Sequence, residues 1–497
     1  MPRPRLTMTA AAAVAVVAAV SCGAGSATQS VTKAGAATQT VANAGAAKPK
    51  PRPNIVFVLT DDLAPNLLRY MPNVQRMQKS GTTFSNYFVT DSLCCPSRAT
   101  MLTGRYPHNT GVFTNQGSDG GYATFNRKGN QHRTFATSLK AAGYNTAMLG
   151  KYMNGYQPTN PVPPGWSEWY VAGNGYPNYN YKLNENGRLV SYGNKPSDYL
   201  TDVLSRKSID FAQRSVAAKK PFMLELSVFT PHGPATPAPR DKGKFPKAKV
   251  PRTPAFNEAD MSDKPAWIKG RPKLTQAQIK KLDATFRKRA RSVLAIDKAI
   301  GDMQAALKAS GADRNTYFVF TSDNGYHMGE HRLMQGKQTA YDTDIKVPLI
   351  VTGPGVRAGR TVSTLTQNTD LCPTFTDLGR ARPPAQVDGI SLVPYLTGKR
   401  PPKPRDGVLI EHRGPNTVAS DPDFQAAPAG NPPTYNALRT TRELYVEYAN
   451  GQREYYDIRR DPHQLNNTFG RLSPGQLKKL RSMLRELTTC KGRECQK

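Results

Sequence analysis

The chain has 497 residues, with 68 Lys or Arg against 36 Asp or Glu, so its formal net charge is +32. This length is enough for one large globular domain with a smaller one appended, and it excludes a small domain that depends on disulfides for its stability. The basic charge favours anionic partners such as nucleic acid, anionic lipid, or sulfated or phosphorylated polymers, with solubility alone as the alternative. No segment resembles a nucleic-acid-binding module, so we expect no nucleic-acid partner.

The first 27 residues have the layout of a secretory signal. Arg3 and Arg5 precede the apolar run AAAAVAVVAAV, which is followed by the small residues SCGAGSA. We predict that residues 1–27 are a signal peptide and that the mature, exported chain has no transmembrane span. The AVSC ending at Cys22 also resembles a bacterial lipoprotein cleavage box. A secreted protein and a lipoprotein at the cell surface therefore remain alternatives.

Composition divides the rest of the chain into three parts. Residues 28–52 are rich in Ala, Thr and Gly and end in alternating Pro and basic residues, which predicts a disordered linker. Residues 53–400 are predicted to form the large domain. After the segment GKRPPKPRDG, residues 401–497 contain the short strand-like runs VLIEH, ELYVEYA and REYYDI and a helix over Ser473 to Leu487, which together indicate a smaller α+β domain.

The large domain alternates strands and helices. Asn54 to Leu59 (NIVFVL) and Tyr317 to Phe320 (YFVF) are continuous apolar runs typical of buried parallel strands. Apolar residues spaced three and four apart predict a long helix from an N-cap at Thr275 to Gly311. The class expected from this alternation is α/β.

Acidic residues follow both buried strands. Asp61 and Asp62 come after the first strand, and Asp323 and Asn324 follow the second. Open α/β sheets bind ligands at such strand ends. Three carboxylates and one amide oxygen favour Ca²⁺ or Mg²⁺ over zinc. The alternative is that each pair only forms an Asx turn or caps a helix.

The cysteines suggest two different roles. Adjacent Cα atoms lie about 3.8 Å apart, which is closer than disulfide geometry prefers, so we expect no bridge between Cys94 and Cys95. Cys490 and Cys495 flank the sequence KGRE near the C-terminus of an exported chain, which predicts a small disulfide, with two free thiols as the alternative.

The stretch CCPSRATMLTG, which begins at Cys94, resembles the signature of type I sulfatases. In that family the first cysteine of C-x-P-S-R is oxidised to Cα-formylglycine by a formylglycine-generating enzyme. The resemblance places this modification at Cys94 and leaves Cys95 as the variable position. It runs from Asn54 to Cys495 and implies an alkaline-phosphatase-like sandwich, in which a large, mostly parallel sheet lies between helices. It also implies that residues 53–400 are the catalytic sulfatase domain.

The family's chemistry explains why a thiol is not enough. One hydroxyl of the hydrated aldehyde attacks sulfur, and the second, once deprotonated, lets the aldehyde re-form and expel sulfate. The resemblance implies that Arg98 holds the aldehyde hydrate, that Lys151 and Lys337 contact sulfate and the leaving oxygen, and that His232 helps protonate the leaving alcohol. It also implies a Ca²⁺ ion, or alternatively Mg²⁺, whose ligands are Asp61, Asp62, modified Cys94, Asp323 and Asn324.

One position departs from the family pattern. Many sulfatases have histidine two places after the first of these lysines, where this chain has Met153. Which group assists sulfate expulsion is therefore open. His327 and His331 lie in the nearby sequence NGYHMGEHR, and we interpret them as incidental to catalysis.

Other segments indicate which subgroup of the sulfatase family the chain resembles. LCCPSRA, GKYMNGY, PPGWSEWY and SDNGYHMG resemble the N-acetylglucosamine-6-sulfatase group, which implies 6-O-sulfated glucosamine units of glycans as the sulfated carbohydrate substrate. One alternative is a phosphate or phosphonate ester hydrolase of the same superfamily. Another is a non-catalytic protein that binds sulfated glycans, which would require Cys94 to remain a thiol.

Overall fold

The structure is a computed structural model that describes residues 51–399, 402–419, 421 and 423–496. The predicted signal peptide (1–27), Cys22 and residues 28–50 of the predicted linker lie outside this part. No helix within the described residues is long and apolar enough to cross a membrane.

The described residues form eighteen strands and twelve α-helices, joined by loops and short 3₁₀ turns. The strands are β1 (Asn54–Thr60), β2 (Thr82–Phe84), β3 (Tyr87–Phe88), β4 (Asn145–Lys151), β5 (Glu168–Ala172), β6 (Tyr181–Glu185), β7 (Arg188–Tyr192), β8 (Phe222–Ser227), β9 (Thr316–Ser322), β10 (His327–Met328), β11 (Gln335–Gly336), β12 (Leu349–Thr352), β13 (Arg360–Val362), β14 (Thr366–Gln367), β15 (Val408–His412), β16 (Tyr435–Arg439), β17 (Glu443–Tyr448) and β18 (Arg453–Asp457). The helices are α1 (Pro72–Ser80), α2 (Cys94–Thr103), α3 (Pro107–Thr110), α4 (Gly121–Arg127), α5 (Phe135–Ala141), α6 (Leu200–Ala217), α7 (Ala266–Lys269), α8 (Gln276–Ala309), α9 (Asp342–Ile345), α10 (Leu371–Leu378), α11 (Val393–Thr397) and α12 (Pro474–Thr489).

Ten strands form one mixed sheet, in the order β13-β2-β12-β9-β1-β8-β4-β5-β6-β7. Its centre, from β9 to β5, is entirely parallel, and Val56 of β1 is level with Leu224 of β8 and Phe318 of β9. The antiparallel pairs involve β12, β6 and β7, which lie outside this centre. The predicted large, mostly parallel sheet is confirmed.

Helices cover both faces of this sheet. Along β1, Ile55 and Phe57 pack into one hydrophobic cluster with α2, α5 and α10, while Val56 and Val58 pack into another with α1, α6 and α8. A strand that is apolar on both faces is expected where both faces are covered, as the run NIVFVL indicates. The resulting sandwich is the predicted fold class.

The long helix α8 begins where its capping residues predict. The Thr275 side chain accepts a hydrogen bond from the Gln278 backbone N–H (3.3 Å), and the Gln278 side chain accepts one from the Thr275 N–H (2.8 Å). This capping box satisfies backbone donors that have no partner within the helix. Leu282, Phe286 and Val293 lie on its buried side, as the apolar spacing predicts.

The C-terminal residues form a separate antiparallel sheet, β15-β16-β17-β18, with α12 packed on one face. Three of these strands and the helix are as predicted. Strand β16 was not predicted, because its sequence YNALR is short and carries no continuous apolar run. The predicted disulfide between Cys490 and Cys495 is present, with a Cα–Cα distance of 5.2 Å.

Candidate active site

The ends of β1 and β9 bring the acidic residues together. The two strands are parallel neighbours, and Thr60 is level with Ser322, so the residues that follow them converge. The Asp62 backbone N–H donates to Asp323 Oδ1 (3.0 Å), and Asn324 Nδ2 donates to Asp62 Oδ1 (2.7 Å). Ligand atoms of four residues all lie within 4.8 Å of one another: Asp61, Asp62, Cys94 and Asp323.

These residues fit a divalent cation. Asp61 and Asp323 are fully buried, and burial raises the pKa of Asp61. Burial also tends to raise the pKa of Asp323, but the nearby cations, with Arg98 foremost, lower it to about 2. Asn324 Oδ1 is buried without a hydrogen-bond partner among the described residues. A buried set of carboxylates with a free amide oxygen is the donor set that Ca²⁺ and Mg²⁺ bind.

Cys94 and Cys95 begin α2 and point into different surroundings. Cys94 Sγ lies 3.3 Å from Asp61 Oδ1 and 2.9 Å from Lys337 Nζ. Cys95 Sγ lies 3.5 Å from the sulfur of Met153. Both are buried, free cysteines, so the expected absence of a bridge between them agrees with the structure. Burial, reinforced by nearby carboxylates, raises the pKa of the Cys94 thiol well above its ordinary value.

Arg98 lies one helical turn after Cys94, and this spacing places both on one face of α2. Its Nε donates to Asp323 Oδ2 (2.9 Å), and its Nη1 donates to the Lys151 carbonyl (2.9 Å) and to Ser227 Oγ (2.7 Å). The guanidinium is therefore held by the ends of β4, β8 and β9 together.

Two lysines reach the same centre from different strands. Lys151 ends β4, and its Nζ lies 2.6 Å from Asp61 Oδ2. Lys337 follows β11, and its Nζ lies 2.6 Å from Asp62 Oδ1. Burial alone would lower both pKa values, but the neighbouring carboxylates raise them well above the ordinary lysine value. The ammonium form of both side chains is therefore favoured.

His232 completes the set predicted from the sequence. Its Nδ1 lies 2.8 Å from the Gly233 carbonyl, and its Nε2 lies 3.7 Å from Asp62 Oδ2 and 2.7 Å from Asp423 Oδ1. Burial lowers the pKa of His232, but these carboxylates and Asp61 raise it above its ordinary value. Because both ring nitrogens face acceptors, the imidazolium form is favoured.

A cavity of about 440 Å³ lies against these groups. Its lining includes Lys151, Met153, Asn154, Tyr156, Tyr176 and His232. Sites for small ligands commonly have volumes of roughly 300–1,000 Å³. The cavity is therefore large enough for a sugar unit, and it has two cationic side chains in its wall.

Two family models match this chain, and together they cover nearly all of the described residues. The sulfatase model matches residues 53–381, and the model for the C-terminal region of N-sulphoglucosamine sulphohydrolase matches residues 329–490. The chain belongs to the sulfatase family. Sulfatases hydrolyse sulfate esters, which agrees with a buried site of three carboxylates and several cations beside Cys94.

Individual proteins give the same result. This sulfatase is 35% identical to the N-acetylglucosamine-6-sulfatase of Capra hircus over 475 residues, which is 89% of this chain and 85% of that protein. A solved structure in complex with its substrate D-glucosamine-2-N,6-O-disulfate has a TM-score of 0.73 and 24% identity, with 90% and 98% of the two chains covered. The phosphonate monoester hydrolase of Agrobacterium radiobacter has the same fold, with a TM-score of 0.68, 22% identity, and coverage of 88% and 96%.

The other two histidines and the methionine discussed from the sequence occupy different positions. His327 Nδ1 lies 2.9 Å from Asp344 Oδ2, and His331 Nδ1 lies 2.6 Å from Glu258 Oε2, so each belongs to a buried pair of its own. Met153, at the position where the sequence resemblance led us to expect histidine, lines the cavity, and its thioether cannot accept a proton at neutral pH.

Sequence reasoning missed one charged residue of this site. Asp423 lies in the C-terminal half, in a segment without a recognisable motif, yet its Oδ1 contacts both His232 Nε2 and Lys337 Nζ. Asn115 and Asn154 donate to its other oxygen. The family model for the C-terminal region covers this segment, but it assigns no role to Asp423.

Proposed function

We propose that this sulfatase is an exported, metal-dependent enzyme that removes 6-O-sulfate from N-acetylglucosamine units of glycans after Cys94 has been converted to Cα-formylglycine. The observation that carries the proposal is the position of Cys94. It opens a fully buried helix, inside C-x-P-S-R, and lies between the metal-fitting carboxylates and Lys337.

The conversion requires a formylglycine-generating enzyme as a partner during maturation. The aldehyde hydrate would supply a nucleophile that also releases the sulfate it accepts. Arg98 is locked against Asp323 and the ends of three strands, and we assign it the role of holding the side chain of residue 94 in place.

The residues that would hold Ca²⁺, or alternatively Mg²⁺, are Asp61, Asp62, modified Cys94, Asp323 and Asn324. When bound, a divalent cation favours ionised oxygen nucleophiles and offsets negative charge on a substrate oxygen. The chain itself supplies the remaining positive charge through Lys151 and Lys337, whose ammonium groups would hold the sulfate and offset charge that grows as the S–O bond breaks.

We assign His232 the role of delivering a proton to the leaving sugar oxygen. Its Nδ1 donates to the Gly233 carbonyl, which orients the ring, and the surrounding carboxylates favour the protonated form. Because Met153 takes the usual histidine position, the second proton transfer of the cycle has no imidazole acceptor there.

The choice of substrate rests on similarity and on the cavity. The Capra hircus relative is named for the 6-sulfate of N-acetylglucosamine, and the solved structure with 24% identity contains a glucosamine substrate sulfated at O6. A cavity of about 440 Å³ accepts one such unit. The signal-like N-terminus supports export, as a secreted protein or as a lipoprotein at the cell surface.

The test is sulfate release from a panel of sugars. We expect N-acetylglucosamine-6-sulfate to have the highest kcat/KM beside 2-O-, 3-O- and 4-O-sulfated sugars, because sugar contacts away from sulfur raise kcat for the matching substrate. If the 6-sulfate ranks last in the panel, the substrate assignment is wrong while the sulfatase assignment stands. If no sulfate ester is cleaved by protein whose Cys94 is modified, the proposed function fails.

A further inference from the structure

We propose that Asp423 is a specificity-determining residue that makes this site prefer monoanionic sulfate esters over dianionic phosphate monoesters. The inference rests on the proposed function, since it takes the centre around Cys94 as the place where the ester is cleaved. It concerns a residue that lies outside the part of the chain matched by the sulfatase family model, which ends at residue 381.

The Asp423 carboxylate contacts the two groups assigned to the sulfate and the leaving oxygen. Its Oδ1 lies 2.7 Å from His232 Nε2 and 2.6 Å from Lys337 Nζ. Its Oδ2 accepts hydrogen bonds from Asn115 Nδ2 (2.6 Å) and Asn154 Nδ2 (3.1 Å). With four donors around it and 4% of its surface exposed, the carboxylate is a built part of the site.

The backbone around Asp423 is attached to the segment that carries Lys337. Gln425 Nε2 donates to the Lys337 carbonyl (2.9 Å), and its Oε1 accepts from the Lys337 N–H (3.2 Å). Gln338 Nε2 donates to the Asp423 carbonyl (3.2 Å). These bonds fix the position of the carboxylate relative to the ammonium group of Lys337.

The charges of the site show what Asp423 changes. Without it, the centre contains three permanent cations and three carboxylates. Asp423 adds a fourth carboxylate, in contact with Lys337 and His232. The cations are Arg98, Lys151 and Lys337, and the carboxylates are Asp61, Asp62, Asp323 and Asp423. A bound divalent cation would then supply the net positive charge.

This lower charge discriminates between esters. A sulfate ester carries one negative charge, whereas a phosphate monoester carries nearly two above its second pKa of roughly 6. A negative charge fixed within hydrogen-bond distance of the anion-binding groups repels the second charge, and in a buried site that repulsion is large. The barrier for phosphate monoesters therefore rises more than that for sulfate esters.

The test compares wild type with Asp423→Asn on three aryl esters that share one leaving group: a sulfate, a methylphosphonate and a phosphate. The first two are monoanions, and the third is a dianion at a pH above roughly 7. We expect the ratio of kcat/KM for phosphate to that for sulfate to rise about tenfold or more in the variant. The ratio of kcat/KM for methylphosphonate to that for sulfate should change by no more than about twofold, because these two esters carry the same charge.

A matched control is Asp421→Asn. Asp421 lies in the same segment and loses the same charge, but its carboxylate accepts from the Asn416 and Asn115 side chains and the Asp423 N–H instead of from a cation. We expect a smaller shift of the phosphate ratio there. An unchanged phosphate ratio in Asp423→Asn, or an equal rise for phosphate and methylphosphonate, would overturn the inference.

If the variant is too inactive for kinetic comparison, the affinity for inorganic phosphate can be measured instead. Calorimetry of inorganic phosphate should show about tenfold tighter binding to Asp423→Asn or Asp423→Ser than to wild type, at matched thermal stability. Equal affinities would also overturn the inference. If wild type cleaves sulfate esters but the phosphate-to-sulfate ratio of the variants is unchanged, only the role of Asp423 is contradicted. If wild type with modified Cys94 has no sulfatase activity, the proposed function is contradicted.

Discussion

Cys94 and Cys95 are neighbours with the same side chain, yet α2 turns them toward different environments. Successive residues of a helix lie about 100° apart around its axis, because 3.6 residues complete a turn. Cys94 therefore reaches Asp61 and Lys337, while Cys95 packs beside Met153. Chemistry at one of these positions is compatible with a purely apolar role for the other.

Substitution should separate the two roles. Cys94→Ala is expected to abolish sulfate release, because the proposed nucleophile is removed, whereas Cys95→Ala should keep most of it and lose about 1 kcal/mol of stability through lost packing. Mass spectrometry of the Asp91–Arg98 peptide would locate the modification. Equal loss in both variants, with the modification on Cys95, would show that the assignment is wrong.

The carboxylates at the strand ends allow a second test at the scale of one residue. Asp323→Ala should lose both metal binding and activity, because it removes an oxygen ligand and the partner of Arg98. Calorimetric titration of the full chain with Ca²⁺ reads binding independently of turnover. Asp302→Ala removes an exposed carboxylate that pairs with Lys298 on α8 and serves as the control. Full activity after exhaustive chelation would contradict a metal site.

At the scale of elements, α8 does more than cover the sheet. Arg289 in its middle is buried, donates to the Pro231 carbonyl (3.0 Å) and the Asp62 carbonyl, and lies 4.1 Å from the centre of the Tyr326 ring. Asp62 has a left-handed backbone, with φ of 65°, which a non-glycine residue adopts only when its surroundings hold it. One helix thus supports the loops of Asp62 and His232.

Removing that support should affect both stability and activity. Arg289→Met leaves two buried carbonyl groups without their donor and is expected to cost about 3 kcal/mol of unfolding free energy, with a lower kcat as Asp62 and His232 lose their positions. Arg287→Met, two residues away and only partly buried, should cost less than about 1 kcal/mol. Denaturant unfolding of both variants measures the difference. Similar costs would mean that Arg289 has no special role.

At the scale of the whole molecule, the C-terminal residues belong to the same folded body as the catalytic part. Val408 and Ala437 of the antiparallel sheet share a hydrophobic cluster with Phe57 of the central strand β1. Asp423 then enters the active site from the same C-terminal half. We therefore expect that the segment predicted as residues 401–497 is needed for activity as well as for stability.

A partly buried pair joins these two parts and makes stability depend on pH. His108 Nδ1 lies 2.8 Å from Glu411 Oε2, and although burial lowers the pKa of His108, Glu411 and more distant Asp388 raise it above the ordinary value near 6.5. The pair's contribution is therefore complete below about pH 6.5 and is lost as pH rises through the raised folded pKa.

The stability of wild type should thus fall as pH rises above about 6.5 by more than that of His108→Gln, which has no charge to lose. Thermal unfolding at a series of pH values measures both slopes. His132→Gln changes a histidine for which no such ion pair is seen, and its slope should match that of wild type. A steeper slope in His108→Gln than in wild type would contradict this linkage.

Local features of the sequence were sufficient for much of the fold. The apolar runs of β1 and β9 carry their own evidence of burial on both faces, and the capping box at Thr275 defines the start of α8. Strand β16 was not predicted, because its short, mixed sequence has no strand pattern of its own. Its hydrogen-bonded pairing with β15 and β17 stabilises it instead. Element order and class were therefore readable, whereas a strand stabilised mainly by its neighbours was not.

The sequence by itself determined the α/β class and, through motifs with close spacing, the candidate residues from Asp61 to Asn324 and Lys337. These residues could be predicted because charged and polar residue types follow the strand ends or share one helix face. Only the tertiary structure decided that Asp423 joins them, because a carboxylate 86 residues beyond Lys337 carries no local signal of its destination. Its contact with Lys337 and His232 arises from the pairing of Gln425 with the Lys337 backbone, and such long-range hydrogen bonds exist only once the chain has folded.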